Sequence, residues 1–210
     1  MFRFELTPNN AGIVFWGDMA SLDKLHQCIH FIVEESPLIT VKDGFMLSLA
    51  YDLRKARDGC RQAKQYQYED RDTYQLYGVE LLWPLVLLQA AILRSSMSYI
   101  QTDKSQLSIM YAFEHIIESA LKAFIPGTWE DVIKMARRAS DSDFEWLEDS
   151  IDSRCCYFID QSAENRKEKL NKILGFFDSS WVKYIHEKQD VKMLNTINNT
   201  DCDWPDNIIW

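Results

Sequence analysis

Two groups of histidine and carboxylate residues have the types and spacing to hold a metal ion. His26 and His30 stand at i and i+4, with Glu34 continuing the row. His115 and Glu118 stand at i and i+3, with Glu114 adjacent. Each pair would lie on one face of a helix. Two such helices facing each other would offer the mixed imidazole and carboxylate set that zinc or iron takes. A metal-dependent enzyme or sensor would follow. The spacing is neither HExxH nor the ExxH of di-iron bundles. At the edge of an apolar face, His26 and His30 have an ordinary alternative, which is to pack a ring and hydrogen-bond a nitrogen.

A second constellation is electrostatic. Residues 141–152 hold Asp141, Asp143, Glu145, Glu148, Asp149 and Asp152, and no cation. Five of them, from Asp141 through Glu145, Glu148, Asp149 and Asp152, share one helical stripe. Five like-charge pairs along it cost roughly 0.2–0.5 kcal/mol each, which a helix tolerates as a solvated face. The stripe could equally dock a basic protein, or meet cations of its own chain or of a second copy. Trp146 lies roughly 110° around from the stripe, placed either to anchor a partner beside the charge or to be covered by a neighbouring helix.

The cationic counterpart is Arg54, Arg57, Arg61 and Lys64, read as one face of a helix running from about Phe45 to Lys64. It could pair with the acidic stripe, bind an anion, or follow a nucleic-acid backbone with Tyr66 and Tyr68 close by for stacking. Asp52 and Asp58 are interspersed, and the net charge of −9 opposes nucleic acid. Arg94 sits on a segment that is apolar all round. Glu80 or Glu114 could pair with it, or it could bind an anion inside a pocket.

Other chemistry finds little support. GxSxG, P-loop and GxGxxG patterns are absent, and seven glycines leave little room for a phosphate-cradling loop. No cofactor is expected, and whether the chain is an enzyme stays open. The five cysteines, Cys28, Cys60, Cys155, Cys156 and Cys202, are odd in number and lack CxxC spacing. MFRFELTP has no apolar signal core. Reduced thiols in a cytoplasmic protein are the expectation. The longest near-apolar run, 81–93, is too short for a bilayer, so no membrane association is expected. Charge is uneven: net −2 over residues 1–105 and net −7 over 106–210.

The elements that must position these residues follow from periodicity. FRFEL and IVFWG, joined by TPNNAG, predict an N-terminal β-hairpin. Asp18 or Ser21 caps a helix that stops before Pro37. Residues 66–80 form a loop with a short strand near Tyr74–Val79. Pro84 opens a helix to about residue 100, apolar on almost every side and therefore central. Further helices are expected over 104–125, from Thr128 with Asp131 as a capping-box pair to about Arg138, through the acidic stripe, and from Ser162 to about Phe177. Residues 1–190 make one globular domain. A tail over 191–210 ends in Trp204 and Ile208–Trp210, either docked or disordered.

The fold class is therefore α+β and mainly helical, with the hairpin packed on a multi-helix core around helix 84–100. The layout around WPLVLLQAAILR resembles that of small bacterial proteins, a resemblance that carries no activity with it. The leading functional expectation is a cytoplasmic protein-interaction or regulatory protein that binds a basic partner through the 141–152 face. A homodimer is open, and nucleic acid is the weakest of the alternatives.

Overall fold

A computed structural model describes residues 1–67, 73–200, 204 and 208–210. The chain runs β1 (Phe2–Leu6), β2 (Gly12–Gly17), α1 (Met19–Glu35), α2 (Phe45–Arg57), β3 (Gln62–Gln67), β4 (Thr73–Leu82), α3 (Trp83–Ser96) and α4 (Lys104–Phe124). It continues through α5 (Trp129–Ala139), α6 (Phe144–Ile159), α7 (Ala163–Gly175), α8 (Ser179–Lys183) and α9 (Lys188–Asn198). The architecture is α+β and mainly helical.

The expected hairpin is present, and it belongs to a larger antiparallel sheet of order β1-β2-β4-β3. Phe15 of β2 pairs with Phe4 on one side and Val79 on the other. The strand expected near Tyr74–Val79 is the middle of β4, which runs over ten residues. The hairpin turn places Asn10 in the left-handed region (φ 60°), a conformation asparagine tolerates well. On its inner face the sheet meets helices through aromatic rings. Phe2 lies 4.9 Å from Phe15, and Phe15 meets Phe113 of α4 edge-on at 5.5 Å.

Helix α3 is central, as its apolar circumference requires. Eleven of its fourteen residues are buried, from Trp83 to Ser96. Pro84 fits in its first turn, where no hydrogen-bonded N–H is needed. Trp83 stacks on Phe124 at 5.4 Å. Asp18 caps α1 and Ser162 caps α7, as the sequence suggests. Thr128 makes no side-chain capping bond, so the expected capping box there is absent. A capping box forms instead at α4, between Asp103 and Gln106.

The basic helix requires a correction. It ends at Arg57, well short of Lys64. Gly59 takes φ +74°, the Gly59 N–H bonds the Ala56 carbonyl, and the Cys60 N–H bonds the Lys55 carbonyl. This is a Schellman stop, with glycine at the one position that needs a left-handed backbone. Arg61 and Lys64 therefore follow the helix on the loop and on β3.

The C-terminal segment is docked where it is described. Helix α9 runs across the expected boundary at 190 and buries Ile197 completely. Ile208 and Trp210 pack against the core. The Trp210 carbonyl accepts hydrogen bonds from the Asn9 backbone N–H (2.9 Å) and side chain (2.7 Å). Buried Arg166 ties this region together. Its guanidinium donates to the carbonyls of Asn9 and Ile209 and to Phe158 and Ile159 at the end of α6. Tyr68 and Cys202 lie outside the described residues.

Candidate functional site

Helix α6 builds the acidic face, and the structure divides its carboxylates by task. Asp143 is the N-cap and accepts from the Glu145 and Trp146 N–H groups at 3.0 and 3.2 Å. Glu148 turns toward α2, where its Oε1 accepts the Phe45 N–H at 3.2 Å. Its second oxygen is buried and has no hydrogen-bond partner among the described residues. Gly44 is what permits this approach, because a Cβ there would stand 2.3 Å from the carboxylate. Burial raises the Glu148 pKa above the usual carboxylate range; the Phe45 N–H opposes the rise, and Asp152, Asp43 and Asp149 add to it. Exposed Asp152 accepts the Trp204 indole N–H at 2.8 Å.

Asp141, Glu145 and Asp149 are exposed and make neither an ion pair nor a side-chain hydrogen bond among the described residues. Glu145 and Asp149 form a ridge of charge along α6 with Asp152; Asp141 stands in the turn before the helix, which begins at Phe144, so the expected helical stripe does not extend back to it. Above the N-terminal end of α6 lies a cleft of about 510 Å³. Asp141 and Asp143 line it with the hydroxyl residues Ser95, Ser98, Tyr99 and Ser140. Every one of those groups can accept a hydrogen bond from a cation. Trp146 is committed to the interior. It is half-buried, its indole N–H donates to the Phe177 carbonyl at 3.1 Å, and the Arg154 guanidinium lies 5.3 Å from its ring. A neighbouring segment covers it, the second of the two placements its sequence position allows.

The basic residues are disposed differently. Arg57 pairs with Asp23 and Asp58, Arg61 pairs with Asp52 at 2.7 Å, and Lys64 pairs with Glu5 at 2.5 Å. Lys64 also stands 3.9 Å above the ring of Trp16. Arg94 makes a two-pronged bond to Glu114 at 2.6 and 2.7 Å and lies over the Tyr111 ring. Arg54 sits over the Tyr51 ring at 5.3 Å. None of these cations pairs with the α6 ridge.

The structure does not bring the histidine groups together. His26 and His30 face each other edge-on at 4.6 Å on α1. Burial lowers the His26 pKa, with His30 and Arg57 adding to the effect. His115 is exposed on α4 and lines a groove with Glu5 and Tyr66 of the sheet. Glu118 is engaged by Arg137 at 3.5 Å. Among the described residues, no group of three or more His, Cys, Asp or Glu side chains converges to hold a metal.

Cys28, Cys60 and Cys155 are free, whereas Cys156 is disulfide-bonded. That bond corrects the expectation of uniformly reduced thiols. Burial pushes the Cys28 thiol up to about 11, so it stays protonated and unreactive at neutral pH.

Sequence reasoning did not find the cleft at Asp52 and Glu80, because its walls come from α2, β4 and the distant C-terminus. It also passed over Arg166, whose partners are backbone carbonyls that no side-chain pattern announces.

The described fold is a mainly helical α+β protein, and no described helix is long and apolar enough to cross a membrane. The chain belongs to the family described as Domain of unknown function (DUF6904), whose model matches residues 2–210. No curated protein and no solved structure matches it.

Proposed function

We propose that the protein acts by binding a basic protein partner along the outer face of α6. One observation carries this reading: Asp141, Glu145 and Asp149 stand exposed and unpaired among the described residues, while three of the four cations of the 54–64 set, Arg57, Arg61 and Lys64, are held by other carboxylates. From Glu145 to Asp152 the ridge is about 10 Å long, at 1.5 Å per residue. A basic helix or extended segment could engage it along that length. The hydroxyl-rich cleft beside Asp141 offers a place for one long cationic side chain to insert.

The net charge of −9 favours a basic protein over a second copy of the chain, which would bring the same carboxylates. The same charge disfavours nucleic acid. A cytoplasmic setting fits the free thiols of Cys28, Cys60 and Cys155, and the bonded Cys156 is the opposing observation. Charge complementarity at an exposed ridge speeds association and weakens with salt, over a screening length of about 8 Å at physiological ionic strength.

The test is fluorescence anisotropy with a labelled lysine-rich peptide at low salt. The variant Asp141→Asn, Glu145→Gln, Asp149→Asn is compared with an equally neutralised control, Glu34→Gln, Glu35→Gln, Glu168→Gln. The α6 variant is expected to lose roughly tenfold in affinity, or about 1.4 kcal/mol, with the control near the native value. Equal losses in both would reduce the effect to net charge and sink the proposal.

A further inference from the structure

We propose that the cleft between α2, β4 and the C-terminal segment binds a small organic cation, an ammonium or guanidinium ion carried on a hydrocarbon or aromatic body. The cleft encloses about 300 Å³, the lower end of the range for small-molecule sites. Its floor is aliphatic, built from residues such as Leu49, Val79 and Leu85, and Trp204 and Trp210 line it from the C-terminal side.

The polar groups on its wall decide the ligand class. Asp52, Glu80, Arg61 and Gln89 line it. Arg61 donates to Asp52 through Nη2, at 2.7 Å. Glu80 accepts from Gln62 through Oε1. Gln89 is almost fully buried, and its amide nitrogen donates to the Phe45 carbonyl (2.8 Å) and to Ser48 Oγ (3.1 Å). Beside the remaining Arg61 N–H groups, the wall offers three acceptors, a second oxygen on each carboxylate and the Gln89 carbonyl oxygen. Among the described lining residues, two carboxylates against one guanidinium leave one negative charge. A ligand that completes this set donates hydrogen bonds and carries positive charge. Indole faces suit such a ligand, since a cation is drawn to the negative face of an aromatic ring.

The aromatic wall is already fixed in place. Trp204 is held by Asp152, and Trp210 is anchored through its carbonyl by Asn9. Burial raises the Asp52 pKa; Arg61 opposes the rise and Glu80 adds to it. A bound cation would stabilise that carboxylate in its charged form. The site touches the α6 ridge through the Trp204–Asp152 bond alone among the described contacts, and its test alters only Asp52 and Glu80.

Calorimetric titration of the full chain would use 2-phenylethylammonium, with 3-phenylpropanoate as the anion of similar shape. The ammonium ion is expected to bind at least roughly tenfold more tightly than the anion. Glu80→Gln should weaken ammonium binding by roughly tenfold. Asp52→Asn, which releases Arg61, should narrow or reverse the preference. Thermal melts confirm that each variant is folded. Failure of the ammonium ion to bind the native protein at millimolar concentration overturns the proposal. So does equal affinity for the anion, or a folded Glu80→Gln variant that binds as well as the native chain.

Discussion

Arg57, Arg61 and Lys64 each have a carboxylate within ion-pair distance, whereas Asp141, Glu145 and Asp149 have no cation within that distance among the described residues. The two regions are similar in charge density along the sequence and opposite in how the fold uses it. In the first, the chain reverses at Gly59, and the reversal carries Arg61 and Lys64 onto the sheet side, where Asp52 and Glu5 meet them. In the second, α6 continues unbroken, and its outer carboxylates keep pointing at solvent. A local stop in the backbone, rather than composition, decides which charges are available to a partner.

The sharpest way to test the first half of this comparison is to remove a cation that the fold consumes. Arg166 is the extreme case, because it is buried and donates to four backbone carbonyls on three separate segments. Arg166→Ala leaves those carbonyls without their donor and opens a void beneath the hairpin. The expected loss is about 3–5 kcal/mol, read as a lowered denaturation midpoint. The loss should be nearly independent of salt, since the group is shielded from solvent. A change below about 0.5 kcal/mol would mean that water replaces the guanidinium at little cost.

The second half predicts the opposite sign. Neutralising Asp141, Glu145 and Asp149 together should leave stability unchanged or raise it by up to about 1 kcal/mol, because the like charges Glu145 and Asp149, one turn apart on α6, are relieved. Added sodium chloride should then stabilise the native chain more than the variant. Chemical denaturation at two salt concentrations measures both effects. A clear destabilisation by the triple variant would show that these carboxylates have a structural partner, and the contrast between the regions would fail.

Much of this was legible beforehand. The hairpin, the central helix and the α4 and α6 spans follow from periods of two and 3.6 residues, whereas the acidic stripe holds only in part, since Asp141 precedes α6 and Glu148 faces inward. The break after Arg57 was legible too, in Asp58-Gly59, but the cationic spacing of 54–64 competed with it and suggested a continuous helix. The third strand was harder. QAKQYQ has an alternating burial pattern with hardly any apolar residues, because long polar side chains cover that face of the sheet. Trp146 could be placed in angle but not in depth, since what covers it is the Phe177 carbonyl, about thirty residues further along the chain. The Asp52–Glu80 cleft required knowing where Trp204, Ile208 and Trp210 dock, and no local pattern carries that information.

Glu148 provides the smallest and most pointed test, because it shares the stripe with the free carboxylates but faces inward. Two forces oppose each other there. The N-terminus of α2 favours a negative charge, while burial and the neighbouring acids disfavour it, and the raised pKa means that the second set wins. A carboxyl whose pKa is raised on folding contributes its full stability below the unfolded pKa of about 4.3, and loses it as pH climbs through the folded value. Glutamine keeps an oxygen for the Phe45 N–H and does not titrate. Glu148→Gln should therefore be as stable as the native chain or slightly more so at pH 7, by about 0.5 kcal/mol or less. That margin should shrink toward zero as pH falls to about 4, because the native carboxyl is then protonated as well. Paired thermal melts across this range read the difference directly. A margin that widened on acidification would show that the ionised Glu148 stabilises α2, and would place it with the consumed charges rather than with the costly ones.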